Sequence, residues 1–187
     1  MAGARPDVWV ADRHGGQLGH GAARQMCLAH LLRDATYARD AGDETFAPGF
    51  RKLPLRAMAI GKRRAALRDS TLTQYRADLE RRLDRLLSGP EPKRKAASCL
   101  FRAMRRDRDD RFRFVTRRDV AATNNACERA PRPSVIFRKV TNCFRAEWGA
   151  KVYAAAASVI ATGRLHGRTA LDSPRAALAG VPIMRSG

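Results

Sequence analysis

The chain has 187 residues, 44% of them hydrophobic, which is enough for one domain with a real core, or a domain plus an appendage. Lys and Arg number 37 against 18 acidic residues, a formal net charge of +19. This composition excludes a compositionally disordered chain, and no apolar run approaches the ~18–20 residues of a membrane span. A surplus of that size repels itself unless an anionic partner neutralises it, and nucleic acid is the usual partner. Only six of the cations are Lys (52, 62, 93, 95, 139 and 151) and 31 are Arg, whose guanidinium fork suits bidentate phosphate contacts. An Arg-favouring base composition would account for Arg over Lys, but not for the excess over acid. Met1–Pro6 is short and holds Gly, Arg and Pro, unlike a signal peptide. Four cysteines (27, 99, 127, 143) show no paired spacing, so a reducing cytoplasm is the expected location.

Asp7 to Asp12 reads as one short strand ending on a carboxylate, broken soon after by Gly15-Gly16. A lone strand forms no sheet, so it either pairs far downstream or lacks its partners, a first hint of a fragment. From about Gly21 the spacing of Met26, Leu28, Leu31 and Leu32 predicts a helix continuing through Tyr37. Residues 42–56 are turn-rich, with Gly42, Pro48, Gly49 and Pro54. A helical stretch over about 58–87 carries the stripe Leu72, Tyr75, Leu79, Leu83 and Leu86, stopped by Ser88-Gly89-Pro90. A helix over about 93–107 would return antiparallel and set Leu100, Phe101 and Met104 against it. Residues 102–118 hold eight Arg, with Phe101, Phe112 and Phe114 interleaved. Near Asn125 a helix begins, with Asn125 as cap and Glu128 at capping-box spacing. Trp148, Val152, Ala155, Val159 and Ile160 mark a helix ending before Gly167, and Thr169-x-x-Asp172 opens a last one.

Three features carry chemistry. Asp12 ends a strand, where α/β enzymes place ligand-binding groups, although with Arg13 it would equally make a surface ion pair. Glu128 is a candidate acid whose plain alternative is a helix-capping carboxylate. Cys27 and His30, at i and i+3 on a helix, supply two ligands where zinc needs four, or three and water, so a packed Cys with a hydrogen-bonded His is the better reading.

Taken in order, Asp12-Arg13 with Gln17-Leu18, the block Cys27-Leu28-Ala29-His30-Leu31-Leu32-Arg33-Asp34, the block Thr123-Asn124-Asn125 with Glu128-Arg129 and Arg132-Pro133, Lys139-Val140, and Phe144-Arg145-x-Glu147-Trp148-Gly149-Ala150 resemble the carboxy-terminal part of an insertion-sequence-66 (IS66) family transposase, a bacterial DDE enzyme. Ser158-Val159-Ile160 with Gly167-Arg168 continues the resemblance, which runs from about Asp7 to Leu178. It implies an incomplete ribonuclease H-like α/β catalytic core with a large helical insertion, mainly α with a short β element. Residues 1–20 would be a remnant core strand and loop, 21–120 the mostly helical insertion with its Arg-rich end, and 121–187 the closing catalytic helix and carboxy-terminal helices.

The same resemblance implies two divalent ions, usually Mg²⁺, held by two Asp and one Glu for phosphodiester cleavage and strand transfer. By motif, Asp12 is the second Asp and Glu128 the closing Glu, both catalytic and metal-binding, with His30, Asn124 and Asn125 supporting them. Arg129, Arg132, Arg138, Lys139 and Arg145 would contact DNA, meaning transposon ends and target, and self-association on paired ends is implied. The first Asp belongs on an upstream strand. Asp7, at the far end of the Asp12 strand, lies roughly 16–17 Å from it, too far to share a metal pair. Pro131 stands where Leu is usual, and Asn142-Cys143 where Gly-Gly is usual. The expectation is a transposase fragment inactive alone. The alternatives are a non-catalytic nucleic-acid-binding protein using the Arg102–Arg118 run with the 129–145 cations, or a decayed remnant that folds poorly.

Overall fold

The computed structural model describes residues 6–13, 15–17 and 19–183; Met1–Arg5, and Leu18 of the Gln17-Leu18 pair, lie outside the described residues. The described residues are mostly helical and include one short two-stranded sheet, and the chain divides into two compact units between Arg129 and Ala130.

In the first unit, β1 (Val8–Ala11) pairs in parallel with β2 (Ala23–Met26), with Ala11 opposite Met26. The helix expected from Gly21 is therefore displaced. Residues 23–26 are extended, and the helix α1 spans Leu28–Asp40. Gly21 makes the return possible, because a Cβ there would lie 2.9 Å from the Trp9 backbone nitrogen. The buried amide of Gln25 fastens β2 to the rest of the unit. Its Nε2 donates to the carbonyls of Met26 (2.8 Å) and Arg111 (2.6 Å), and its Oε1 accepts from the Phe114 N–H (3.0 Å).

The turn-rich stretch also folds otherwise. Phe46–Arg63 is one continuous helix, α2, with Pro54 inside it. Pro48 is its third residue, where no intrahelical donor is needed, so its missing N–H costs nothing. Phe46, Phe50, Leu53, Ala57 and Ile60 recur at helical spacing and are all buried. Asp43, itself buried, accepts the Ala47 N–H at 2.6 Å and caps the first turn. The apolar face outweighs the Pro and Gly signals.

A short 3₁₀ turn at Arg64–Ala66 breaks the predicted long stretch before α3 (Asp69–Leu87), which buries Leu72, Leu79 and Leu83 as its stripe predicts. The helix α4 (Lys95–Arg106) buries Leu100, Phe101 and Met104, chiefly against α1. A short helix α5 (Arg113–Thr116) and then α6 (Asn125–Arg129) complete the unit.

The second unit comprises α7 (Arg132–Val140), α8 (Glu147–Leu165) and α9 (Asp172–Leu178). Phe137, Phe144 and Tyr153 stack together with centroids 4.8–5.6 Å apart, and the Tyr153 hydroxyl donates to Ser134. Gly163 lets α9 approach α8, since a Cβ there would strike Ser173. Half of the capping box predicted at Thr169 forms: the Asp172 N–H donates to Thr169 Oγ1 at 3.2 Å, while the Asp172 carboxylate accepts the Thr169 hydroxyl, and α9 begins at Asp172 itself. The α8 stripe faces outward at Trp148 and Val152, which are exposed. Pro131 precedes α7 with φ of −78° and so interrupts no helix. Among the described residues, no helix is long and apolar enough to cross a membrane.

Candidate active site and basic surfaces

The carboxyl ends of β1 and β2 lie side by side. The Cys27 N–H donates to the Ala11 carbonyl at 2.8 Å, so Asp12 leaves β1 beside the residue that opens α1. Asp12 is half-buried. Its neighbour Arg13 pairs with Asp34 of α1 at 2.5 Å. His30, in the first turn of α1, places Nε2 3.3 Å from Glu128 Oε1 and 3.3 Å from the Arg33 guanidinium. A second tie holds the Glu128 segment to α1, because the Leu28 N–H donates to the Ala122 carbonyl at 3.0 Å. Asp12 and Glu128 thus approach the same end of α1 from opposite directions in the sequence.

The helix carrying Glu128 starts at Asn125, so Asn125 is its first helical residue and Asn124 precedes it, accepting the Glu128 N–H through its carbonyl. The carboxylate of Glu128 faces His30, which corrects the capping role weighed for it. Two buried atoms beside this pair have no hydrogen-bond partner among the described residues: His30 Nδ1 and Asn124 Oδ1. Cys27 is a free, buried thiol, and no group of three His, Cys, Asp or Glu among the described residues could hold a metal ion.

The Arg102–Arg118 run does not form a free cationic strip, because its geometry spends most of the charge internally. Arg102 pairs with Glu91, Arg106 with Asp107, Arg108 with Asp84, Arg117 with Asp119 and Asp7, and Arg118 with Asp69. Arg111 is buried, and Phe101, Phe112 and Phe114 lie in the core, so none of these rings is open to stack on a base. Arg64 belongs to the same internal web, donating to the carbonyls of Phe114, Val120 and Arg118 at 2.6–2.7 Å. Several pairs are tight enough to move pKa values. The hydrogen bond from Arg117 holds the Asp119 carboxyl down at about 2, and a hydrogen bond from Arg82 lowers Asp78.

Other cations stay open. Arg129 ends α6 in the first unit, while Arg132, Arg138 and Lys139 lie on α7 and Arg145 follows it in the second; all are exposed. The grouping expected from sequence is therefore divided between two units. Sequence reasoning also missed a cleft of about 630 Å³ between α1 and the start of α4, lined by Arg13, Asp34, Tyr37, Arg94 and Lys95 among others. Tyr37, placed by periodicity with the core residues of α1, is 70% exposed. The signal was present: His30, Asp34 and Tyr37 stand at i, i+4 and i+7 on one helix face.

No curated protein and no solved structure gives a significant match to the chain. The sequence model described as Transposase IS66 family matches residues 2–152, which include the sheet, Asp12, the whole of α1 and Glu128. The chain belongs to the Transposase IS66 family.

Proposed function

We propose that the chain serves DNA transposition through DDE chemistry, with Asp12 and Glu128 as carboxylates of a ribonuclease H-like site and DNA as the partner of its basic surfaces. The observation that carries this reading is the approach of the two segments that bear these carboxylates to one end of α1. Asp12 follows the strand whose last carbonyl binds Cys27, and Glu128 is docked on His30 one turn later. Carboxyl ends of parallel strands are where such folds place ligand-binding groups. His30 would position Glu128, and Asn124, whose buried side-chain oxygen has no hydrogen-bond partner among the described residues, would act beside it.

Mg²⁺ is the ion this chemistry ordinarily uses. Asp12 and Glu128 offer the hard oxygen ligands that Mg²⁺ prefers, but a two-metal site needs a third carboxylate and Asp34, the nearest other acid on α1, is held by Arg13. The donor set of this chain therefore does not fit the pair of ions by itself. We accordingly assign to the isolated chain DNA binding without cleavage, in the cytoplasm, with self-association on paired ends.

The test is a nicking assay on end-sequence DNA with Mg²⁺, run beside a salt titration of binding. Binding that weakens linearly in log K against log salt, with no nicking, is the expected result. Mg²⁺-dependent nicking abolished by Glu128→Ala would overturn the assignment of inactivity, and a flat salt dependence would overturn DNA as the partner. A second reading, a nucleic-acid-binding protein with no share in catalysis, is favoured by the open cations at Arg129, Arg132, Arg138, Lys139 and Arg145. Supplying a polypeptide that carries an upstream Asp strand separates the two. Restored cleavage that needs Glu128 supports the DDE reading, and its continued absence supports binding alone.

A further inference from the structure

We infer that the cleft between α1 and α4 is a binding site for a single strand of DNA, with Arg94 and Lys95 taking its phosphates and Tyr37 stacking on an unpaired base. The inference rests on the proposed role in transposition and names the surface that role uses. The sequence pointed elsewhere, to the Arg102–Arg118 run, where the structure instead shows cations paired with Asp and Glu and aromatic rings in the core.

Four observations select the cleft. Its cations at the start of α4, Arg94 and Lys95, enter no ion pair among the described residues, unlike most Arg of the first unit, so their charge remains for an external anion. The one acid on its wall, Asp34, is already neutralised by Arg13 at 2.5 Å and does not repel a phosphate. Tyr37 projects its ring into solvent at the rim, 70% exposed, on a helix whose other face is buried. An exposed ring beside open cations is the arrangement that single-strand binders use, with base stacking added to phosphate neutralisation. Size agrees as well: about 630 Å³ is within the ~300–1,000 Å³ of sites that enclose part of a ligand, whereas a duplex presents a major groove ~12 Å wide and keeps its bases stacked inside.

Position gives the site a use. Arg13 directly follows Asp12, and Asp34 lies one turn beyond His30 on the same face of α1. A strand lying in the cleft would therefore run toward the candidate carboxylates, and a cleaved or frayed DNA end presents the unpaired bases such a strand requires. The start of α4 also borders the cleft, and its dipole adds a modest preference for an anion there.

The experiment measures binding of the full chain to a fluorescent oligo-dT and to a duplex of equal length, across a salt series. Single strand is expected to bind more tightly than duplex. Arg94→Ala with Lys95→Ala should weaken oligo-dT binding about tenfold or more at low salt and flatten the log–log salt slope by ~1.4, the share of two single-strand phosphate contacts. Tyr37→Ala should weaken it about five- to a hundredfold, the range one stacked base contributes, with the salt slope unchanged, and Tyr37→Phe should restore it. Wild-type affinity in all these variants, with the chain still binding DNA, would overturn the cleft and leave the transposition reading standing. Equal or tighter binding of duplex would overturn the single-strand assignment. Failure of the wild-type chain to bind any DNA would overturn both. A thermal melt of each variant keeps a folding loss from passing as a binding loss, and Tyr37→Phe retains the test if the alanine variant unfolds.

Discussion

Arg111 carries its charge where almost no water reaches. The residue is 1% exposed, and none of its three guanidinium nitrogens has a hydrogen-bond partner among the described residues. Burial pushes its pKa down to about 10, with Asp107 pulling the other way. A base whose folded pKa is lowered binds its proton less readily folded than unfolded. The cost to stability therefore stands in full at neutral pH and is relieved only as pH rises past about 10. Methionine would fill the same space without a charge to desolvate. Arg111→Met should stabilise the chain by ~1–4 kcal/mol, read from the urea midpoint at pH 7. A lower midpoint would mean that the guanidinium makes contacts that outweigh its burial.

At the scale of one element, the end of α7 joins sequence and backbone most directly. The Cys143 N–H donates to the Arg138 carbonyl at 2.7 Å, the six-residue closure of a Schellman motif, with Asn142 at φ 52° and Cys143 at φ 70°. These are the only non-glycine residues with positive φ among the described residues. They occupy the positions where the family resemblance leads one to expect Gly-Gly. Asn tolerates the left-handed region through its short polar side chain, while Cys has no such compensation. Cys143→Gly should therefore stabilise the α7–α8 turn by ~1 kcal/mol, seen as slower hydrogen exchange across 138–145. Asn142→Gly should gain less, and faster exchange in either variant would contradict the strain.

Elements were legible where one local rule acted alone. The Leu72–Leu86 stripe gave α3, and Thr169 with Asp172 gave the start of α9. They were misread where rules competed or where a partner was distant. Met26 shares helical spacing with Leu28 and Leu31, yet residues 23–26 are a strand because β1 offers its backbone. Pro48, Gly49 and Pro54 signalled turns, and five buried apolar residues on one face overrode them. The meeting of Glu128 with His30 spans nearly a hundred residues and no periodicity encodes it; only the family motifs placed the two blocks in one site. The fate of the Arg102–Arg118 cations was only partly hidden: Arg106 and Arg117 pair with the nearby Asp107 and Asp119, whereas Arg102, Arg108 and Arg118 reach Glu91, Asp84 and Asp69 elsewhere in the chain.

For the whole molecule, the excess of cations makes each acid count twice, once as a partner and once against net charge. Arg117 holds Asp119 at about 2, against a usual 3.8. Asp78 is lowered by Arg82, Glu91 by Ser98 and Arg102, and Asp107 by Arg106 and Arg24 in spite of the burial that raises it. Each folded pKa is below its unfolded value, so the stability these groups contribute is complete above about pH 5. It is lost as pH falls through the folded pKa values, down to about 2 for Asp119. Protonation removes the pairs and raises net charge at the same time, roughly doubling it when all 18 carboxylates are neutral. The melting temperature should hold level from pH 7 to about 5 and then fall steeply toward pH 3. Moderate salt should recover part of that fall, because screening weakens the repulsion of the unpaired cations. A melting temperature unchanged at pH 3 would show that the solvent-facing Arg–carboxylate pairs contribute nothing to the fold. A fall that salt deepens would place the loss in the pairs and not in the net charge.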